Sequence, residues 1–385
     1  MGIRLSSVIL IAASVGLLSN CSGIRLRQPL RSTEYDWRLF GGSETRTNAA
    51  PQFLEPPLKL VWSYDASAGF GPSALSAKDS VLFIATLQGE LQVISIKDGE
   101  RLGWVSLGSA IASAPVVDGT TVIVATADEK NNVISYDFSS ARKYWKRTAG
   151  PVESAPLSVG RLIIIATLNG TLLALDRDTG EERWSIQVSQ PIRSSPASDG
   201  ERVFFGCDDG AVRGVNAITG NLLWTARTGA AVFANPIVID SLVIVGSLDS
   251  TVYAFHVQSG EIAWKYRTSG MVYAPAAGFE HRAVVGTAHG DLLCLDTRTG
   301  RLLWSALGGD AGGVINAAPL IVGNIVYVGT LDKQLYALEL SDGALRWQTE
   351  LPGRMKTSPA VFGKRLFIPV ENRIVLCYRS TSGEE

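Results

Sequence analysis

A chain of 385 residues, 46% hydrophobic and 18% charged, carries enough apolar material for a large core, and its length suits two or three domains or one body built from repeats. A net charge of -1, with no run of five like charges, excludes the basic stripe that nucleic-acid binding needs to displace counterions. Cys207, Cys294 and Cys377 stand alone in apolar runs and His256, His281 and His289 are dispersed, which leaves no disulfide framework and no metal-ligand spacing.

The N-terminus reads as an export signal. Arg4, an apolar run over 8–18 and then Ser19, Asn20 and Cys21 give a basic start, a short apolar centre and an abrupt stop, and the run is too short to span a bilayer. The sequence Leu18, Ser19, Asn20, Cys21 resembles a bacterial lipobox, which implies cleavage before Cys21 and lipidation of that cysteine; Asn20 departs from the small residue usual there. Ser22 follows, as in lipoproteins sent on to the outer membrane. The expectation is a signal peptide over 1–20, a lipidated N-terminus and tether over 21–57, and an outer-membrane lipoprotein facing the periplasm. The stretch 22–57 is polar and rich in proline and glycine, as a tether is, and 36–42 (DWRLFGG) reads as linker that packs on the folded body.

Repeats begin after Pro57. Tryptophans fall at Trp62, Trp104, Trp145, Trp184, Trp224, Trp264, Trp304 and Trp347, with spacings of 39 to 43 residues, and a proline series from Pro72 to Pro359 keeps step with them. A period near forty with short Val/Ile/Leu runs between Asp, Asn and Gly turns predicts a β-propeller of four-stranded blades. In the unit after Pro196, strands are expected over 202–206 and 211–216, with turns at Asp208 to Gly210 and at Thr219 and Gly220. Gly180, Gly220, Gly260, Gly300 and Gly343 lie four before a tryptophan, where a tight turn needs positive φ. Blade two has Ala141 there, and the turn of blade one, from Gly99 to Trp104, is one residue longer.

Each tryptophan is expected on the outermost strand, wedged into the next blade. An indole burying about 150–250 Å² contributes about 4–6 kcal/mol before ordering costs. The chain ends where the last unit should present its fourth strand, while 58–64 carries Trp62 without three strands of its own. The fold class is therefore all-β, an eight-bladed β-propeller over 58–385, its ring closed by an N-terminal strand that completes the last blade.

LDRDTGEERW over 175–184 and LDTRTGRLLW over 295–304 resemble the quinoprotein-type β-propeller family, whose unit carries a pattern like LDxxTGxxxW; the resemblance covers 58–385. Family members of this length with eight blades and a lipid anchor include a scaffold of the machinery that inserts β-barrel proteins in the outer membrane. Longer members are alcohol and glucose dehydrogenases that bind pyrroloquinoline quinone (PQQ) and calcium, with a vicinal cysteine pair over the quinone. This chain has no adjacent cysteines. Its acids Asp176, Asp178, Asp208, Asp209, Asp296 and Asp332 sit in repeat turns, where capping the turn explains them. Three scattered histidines with no nucleophile elbow give no triad.

The resemblance thus implies a non-catalytic scaffold with no PQQ and no metal, a protein partner in barrel assembly, and a membrane reached through a lipid anchor. A PQQ- and calcium-dependent oxidoreductase-like propeller, or an envelope propeller binding a polysaccharide or signalling partner, are the alternatives. Residues that differ among otherwise similar units, just before the repeat prolines, are the candidates for partner binding: Glu153, Arg193, Asn235, Tyr273, Asn316, Arg354 and Lys356. The glycine-rich stretch 308–316 is the longest connection between blades.

Overall fold

Short apolar runs separated by turns of a few residues can pair only with their neighbours, so each repeat becomes a four-stranded antiparallel meander. The computed structural model describes residues 23, 24, 26, 30–308 and 313–381; the expected signal peptide and Cys21 lie outside them. Seven sheets are formed in chain order over 75–106, 116–147, 157–187, 197–227, 237–267, 277–307 and 320–350. The eighth contains Ala360–Phe362, Arg365–Val370, Ile374–Ser380 and, on its outer edge, Leu58–Asp65 from the other end of the chain. That strand pairs antiparallel with Leu58 opposite Ser380 and Trp62 opposite Cys377, which closes the ring as the sequence predicts. In the fourth repeat the strands are Arg202–Gly206 and Ala211–Asn216, with the boundaries read from the sequence.

The middle two strands of each blade are almost wholly buried, and the core lies between blades rather than at one centre. Six tryptophans form the expected wedges. Their indole Nε1 groups donate to the carbonyl just past the third strand of the next blade: Trp62 to Ile96, Trp145 to Arg177, Trp184 to Ala217, Trp224 to Val257, Trp264 to Thr297 and Trp304 to Leu340, at 2.6–3.0 Å. Each ring lies over the turn glycine of that next blade. A Cβ added to Gly180, with φ 69°, would meet the Trp145 ring at 2.5 Å, and one on Gly260 would meet Trp224 at 2.6 Å. Those glycines are therefore fixed twice, by positive φ and by an indole.

The remaining two tryptophans differ from the expectation of eight wedges. Trp347 is half-buried and meets Tyr378 edge-on, ring centroids 6.2 Å apart. Trp104 is displaced by its longer turn: Gly103 faces Val93 immediately before the strand's bulge, the register position that Trp184 holds opposite Ala174 in blade three. Adjacent strand residues point to opposite faces, so Trp104 is turned away from the seam between blades one and two. The leader fills the gap. Ile24, wholly buried, packs there with Phe83, Val105, Tyr136 and Phe138, and Leu26 N–H donates to the Phe138 carbonyl, the acceptor equivalent to those the indoles use. The Tyr136 hydroxyl bonds both the N–H and the carbonyl of Ile24, at 3.0 and 3.2 Å. With no indole overhead, the turn tolerates Ala141 at φ 57°, and a Cβ added to Gly23 would meet the Ala141 Cβ at 3.8 Å, an ordinary contact.

A second part of the expected tether is also built into the propeller. The innermost strand of a blade has one free edge, and residues 37–50 satisfy that edge around one end of the channel. Trp37 exchanges hydrogen bonds with Ala77 of blade one; then Val117, Ser198, Val238, Gly278 and Ile321, from blades two, four, five, six and seven, donate to the carbonyls of Arg38, Glu44, Thr45, Thr47 and Asn48. Blade three is reached by Arg46, which is wholly buried. Its guanidinium donates to the carbonyls of Phe40, Ala155, Pro156 and Pro196 and lies 5.5 Å from the Phe40 ring centre. Burial pulls its pKa down to about 9, so the group is still charged at neutral pH. The strap ends as Ala49–Ala50, a parallel fifth strand on blade seven.

Candidate functional site

The strap plugs one end of the channel and leaves a blind funnel at the other. The loops that carry the chain from the outer strand of one blade to the inner strand of the next converge there, around a cavity of about 400 Å³ whose lining includes Phe40 of the plug. Glu153, Arg193, Asn235, Tyr273, Asn316 and Lys356 all line this cavity, joined by Phe233 and by Ser73, Ser195 and Ser358. Of the seven residues singled out in the sequence, Arg354 alone is outside the lining; it stands half-exposed, 3.8 Å from Glu371.

Arg193 organises one wall. It bonds Glu153 at 2.9 Å and Asp208 at 3.1 Å, and its guanidinium lies 5.8 Å from the Phe233 ring centre. Burial works against its charge, but the two carboxylates outweigh burial and raise its pKa. On the far wall Lys356 bonds Glu371 at 2.6 Å, and this contact lowers the Glu371 pKa. Asn235 accepts the Ser195 N–H at 2.5 Å, a bond across two blades that fixes its side chain. Tyr273 is 39% exposed and donates to the Met271 sulfur at 3.1 Å. The funnel is thus a neutralised, amphipathic surface with aromatic faces and amide and hydroxyl groups around its rim.

Chemistry that needs free carboxylates is poorly served here. Glu153 and Asp208 are both held by Arg193, and Glu371 by Lys356, so these carboxylates are engaged by cations of the chain itself. Among the described residues no three His, Cys, Asp or Glu side chains converge as metal ligands. Cys207, Cys294 and Cys377 are buried in three different blades, and burial pushes Cys207 and Cys294 to about 12 and Cys377 to about 11, so none is a thiolate near neutral pH. Three of the repeat-turn acids cap their turns: Asp176 accepts the N–H groups of Asp178 and Thr179, Asp209 that of Ala211, and Asp296 those of Arg298 and Thr299, whereas Asp178 and Asp208 pair with Arg161 and Arg193.

Sequence reasoning missed the plug. Phe40, Arg46 and Asn48 decide the floor and the strap, yet they occur once each outside the repeat, and no period marks them. Gly41 and Gly42, both with φ near 80°, were the available signal: a Cβ on Gly42 would meet the Trp37 ring at 2.7 Å, so this pair belongs to a packed loop.

An eight-bladed ring of four-stranded sheets with tryptophan wedges and LDxxTGxxxW turns defines a PQQ-type repeat propeller. Within that class, the chain belongs to the family described as outer membrane protein assembly factor BamB, whose model matches residues 58–195, 148–235, 168–314 and 288–385. The assembly factor BamB of Burkholderia pseudomallei is 28% identical over 137 residues, 34% of this chain and 35% of that protein, and that of Bordetella pertussis is 36% identical over 22% of each. The chain thus aligns with about a third or less of the length of these curated relatives. The crystal structure of BamB from Moraxella catarrhalis superposes with a TM-score of 0.71 at 20% identity, covering 84% of this chain and 99% of that one. The quinohemoprotein alcohol dehydrogenase of Comamonas testosteroni does so at 0.74 and 12% identity, over 91% and 81%. Likeness at this identity is a likeness of fold.

Proposed function

We propose that the chain is a non-catalytic, lipid-anchored periplasmic scaffold that binds a protein of the outer-membrane β-barrel assembly machinery, with the funnel mouth as its variable contact surface. The observation that carries this reading is family membership along the whole propeller, joined to the convergence of six divergent residues on one face. The neutralised state of the funnel acids favours a binding role over a PQQ- and calcium-dependent oxidation. Glu153, Arg193, Asn235, Tyr273, Asn316, Arg354 and Lys356 are the residues assigned to the partner, Cys21 to the lipid, and the molecule to the periplasmic side of the outer membrane.

Crosslinking in intact membranes, followed by identification of the attached proteins, tests the reading. A barrel-assembly component among the adducts is the expected result. Adducts that contain none of them would sink it. Incubation of the pure protein with PQQ and calcium, read for a bound chromophore and dye-linked oxidation, should give a flat trace.

A further inference from the structure

The outer strands of the blades differ in charge: those of blades one and four carry one basic residue and no acid, that of blade five, IAWKYR, carries two, and that of blade two carries the most. Blade two presents Arg142–Arg147, RKYWKR, with four basic residues and no acidic one, on a chain whose net charge is -1. The corresponding strands of blades three, six and seven, ERWSIQ, LLWSAL and LRWQTE, balance to zero. Arg142, Lys143, Tyr144 and Lys146 are all exposed, and Tyr144 leaves 66% of its surface in solvent. None of the four cations forms an ion pair among the described residues. The nearest acids along the chain on either side are held elsewhere, Asp137 by the hydroxyls of Ser139 and Ser140 and Glu153 by Arg193. Partial burial and then the neighbouring Lys146 ammonium lower the pKa of Lys143, as expected for crowded cations that lack an anion.

A second observation places this strand. The leader enters the fold at the seam between blades one and two, with Gly23 against Ala141, the residue that precedes the strand. Cys21 stands two residues ahead of Gly23, a reach of at most about 7 Å. A lipid on Cys21 would therefore hold the rim of the ring beside this turn of blade two, where the strand Arg142–Arg147 begins, close to the bilayer. Basic clusters attract anionic leaflets, and an exposed tyrosine suits the headgroup level.

We propose that the outer strand of blade two, Arg142–Arg147, is a membrane-facing surface that binds anionic phospholipid headgroups. This goes beyond the scaffold reading and does not depend on which protein the funnel binds. It is tested on the full chain carrying Cys21→Ser, so that no acyl group contributes, by sedimentation with vesicles of phosphatidylcholine alone or with about a third phosphatidylglycerol. Binding should be confined to the anionic vesicles and be lost as salt is raised. Lys143→Glu with Lys146→Glu should weaken it by at least roughly twentyfold, at about fivefold per basic residue, whereas Lys265→Glu on blade five should change nothing. Equal binding to neutral vesicles, or a double reversal that binds like the parent, overturns the proposal. Should the double reversal not fold, a fluorophore on Tyr144→Cys answers the same question: a blue shift with anionic vesicles alone supports the surface, and no shift refutes it.

Discussion

Two seams of the same ring solve one packing problem differently. Between blades four and five, Trp224 stacks on Phe204 with centroids 5.7 Å apart, approaches Phe255 at 6.4 Å, lies over Gly260 and bonds the Val257 carbonyl. Between blades one and two the indole is missing, Gly103 stands in its register position, Ala141 replaces the glycine, and Ile24 and Leu26 come from outside the repeat to fill the slot and use the carbonyl. Two departures that look unrelated in the sequence, a longer turn in blade one and an alanine in blade two, are one event in three dimensions. A repeat protein can lose a wedge if another segment supplies the same volume and the same donor.

The comparison can be broken in several places. The largest loss is expected at neither seam but at the closure, because deleting 58–64 removes a whole edge of blade eight together with the Trp62 wedge. Thermal unfolding should show a loss above the roughly 3–5 kcal/mol of a buried Trp→Ala change. Trp224→Ala should cost about 3–5 kcal/mol in urea titration, while Trp104→Ala, at a half-buried position without a wedge hydrogen bond, should cost clearly less. Ile24→Ala should cost about 2 kcal/mol or more, a large effect for a residue of a polar leader; a loss near zero would mean that the slot is not filled from the N-terminus.

The turns separate the seams more finely. Gly260→Ala forces a Cβ into the Trp224 ring and should destabilise by more than about 1 kcal/mol, whereas Ala141→Gly relieves a positive φ where no indole lies overhead and should be neutral or stabilising by about 1 kcal/mol. The smallest difference lies in acid. Arg183, followed by the Thr179 and Asp178 amides, holds Asp176 at about pH 2, below its ordinary 3.8. A carboxyl lowered on folding adds stability above its unfolded pKa and gives it up as pH falls through the folded one. The Asp176 contribution should therefore be complete above about pH 4 and fade toward about 2. Asp176→Asn should flatten that limb of the denaturation profile. Asp137→Asn should flatten it less, because only the side chains and amides of Ser139 and Ser140 work against burial there and no arginine joins them.

What repeats could be read from the sequence, and what occurs once could not. The period, the positive-φ glycines and the acidic turns are each stated several times by the chain, so a copying error in one unit leaves the others to speak, and the closing strand is legible as the piece missing from the last unit. The same redundancy misled at Trp104: the tryptophan keeps its spacing, but one extra residue in the turn carries it past the bulge and onto the other face of the sheet. The funnel residues were legible because they differ where their surroundings agree, and six of the seven meet around one cavity. Arg46 carried no such mark. A lone arginine in a polar stretch gives no hint that it will be buried with four carbonyls as its acceptors, because that environment is assembled from blades three and four and from the leader itself.

The plug also bears on function. With one end of the channel closed by Phe40, Arg46 and the strap, the funnel opens at the other end, and six of the residues that vary between blades line it. The most direct test of the scaffold account is a photoreactive residue placed at Tyr273, at the rim of the funnel, with crosslinking in living cells. The account predicts an adduct with a protein of the barrel-assembly machinery that is lost when Arg193 and Lys356 are reversed to glutamate. An adduct with that machinery from Leu222, on the outer wall of blade four, and none from Tyr273 would contradict it.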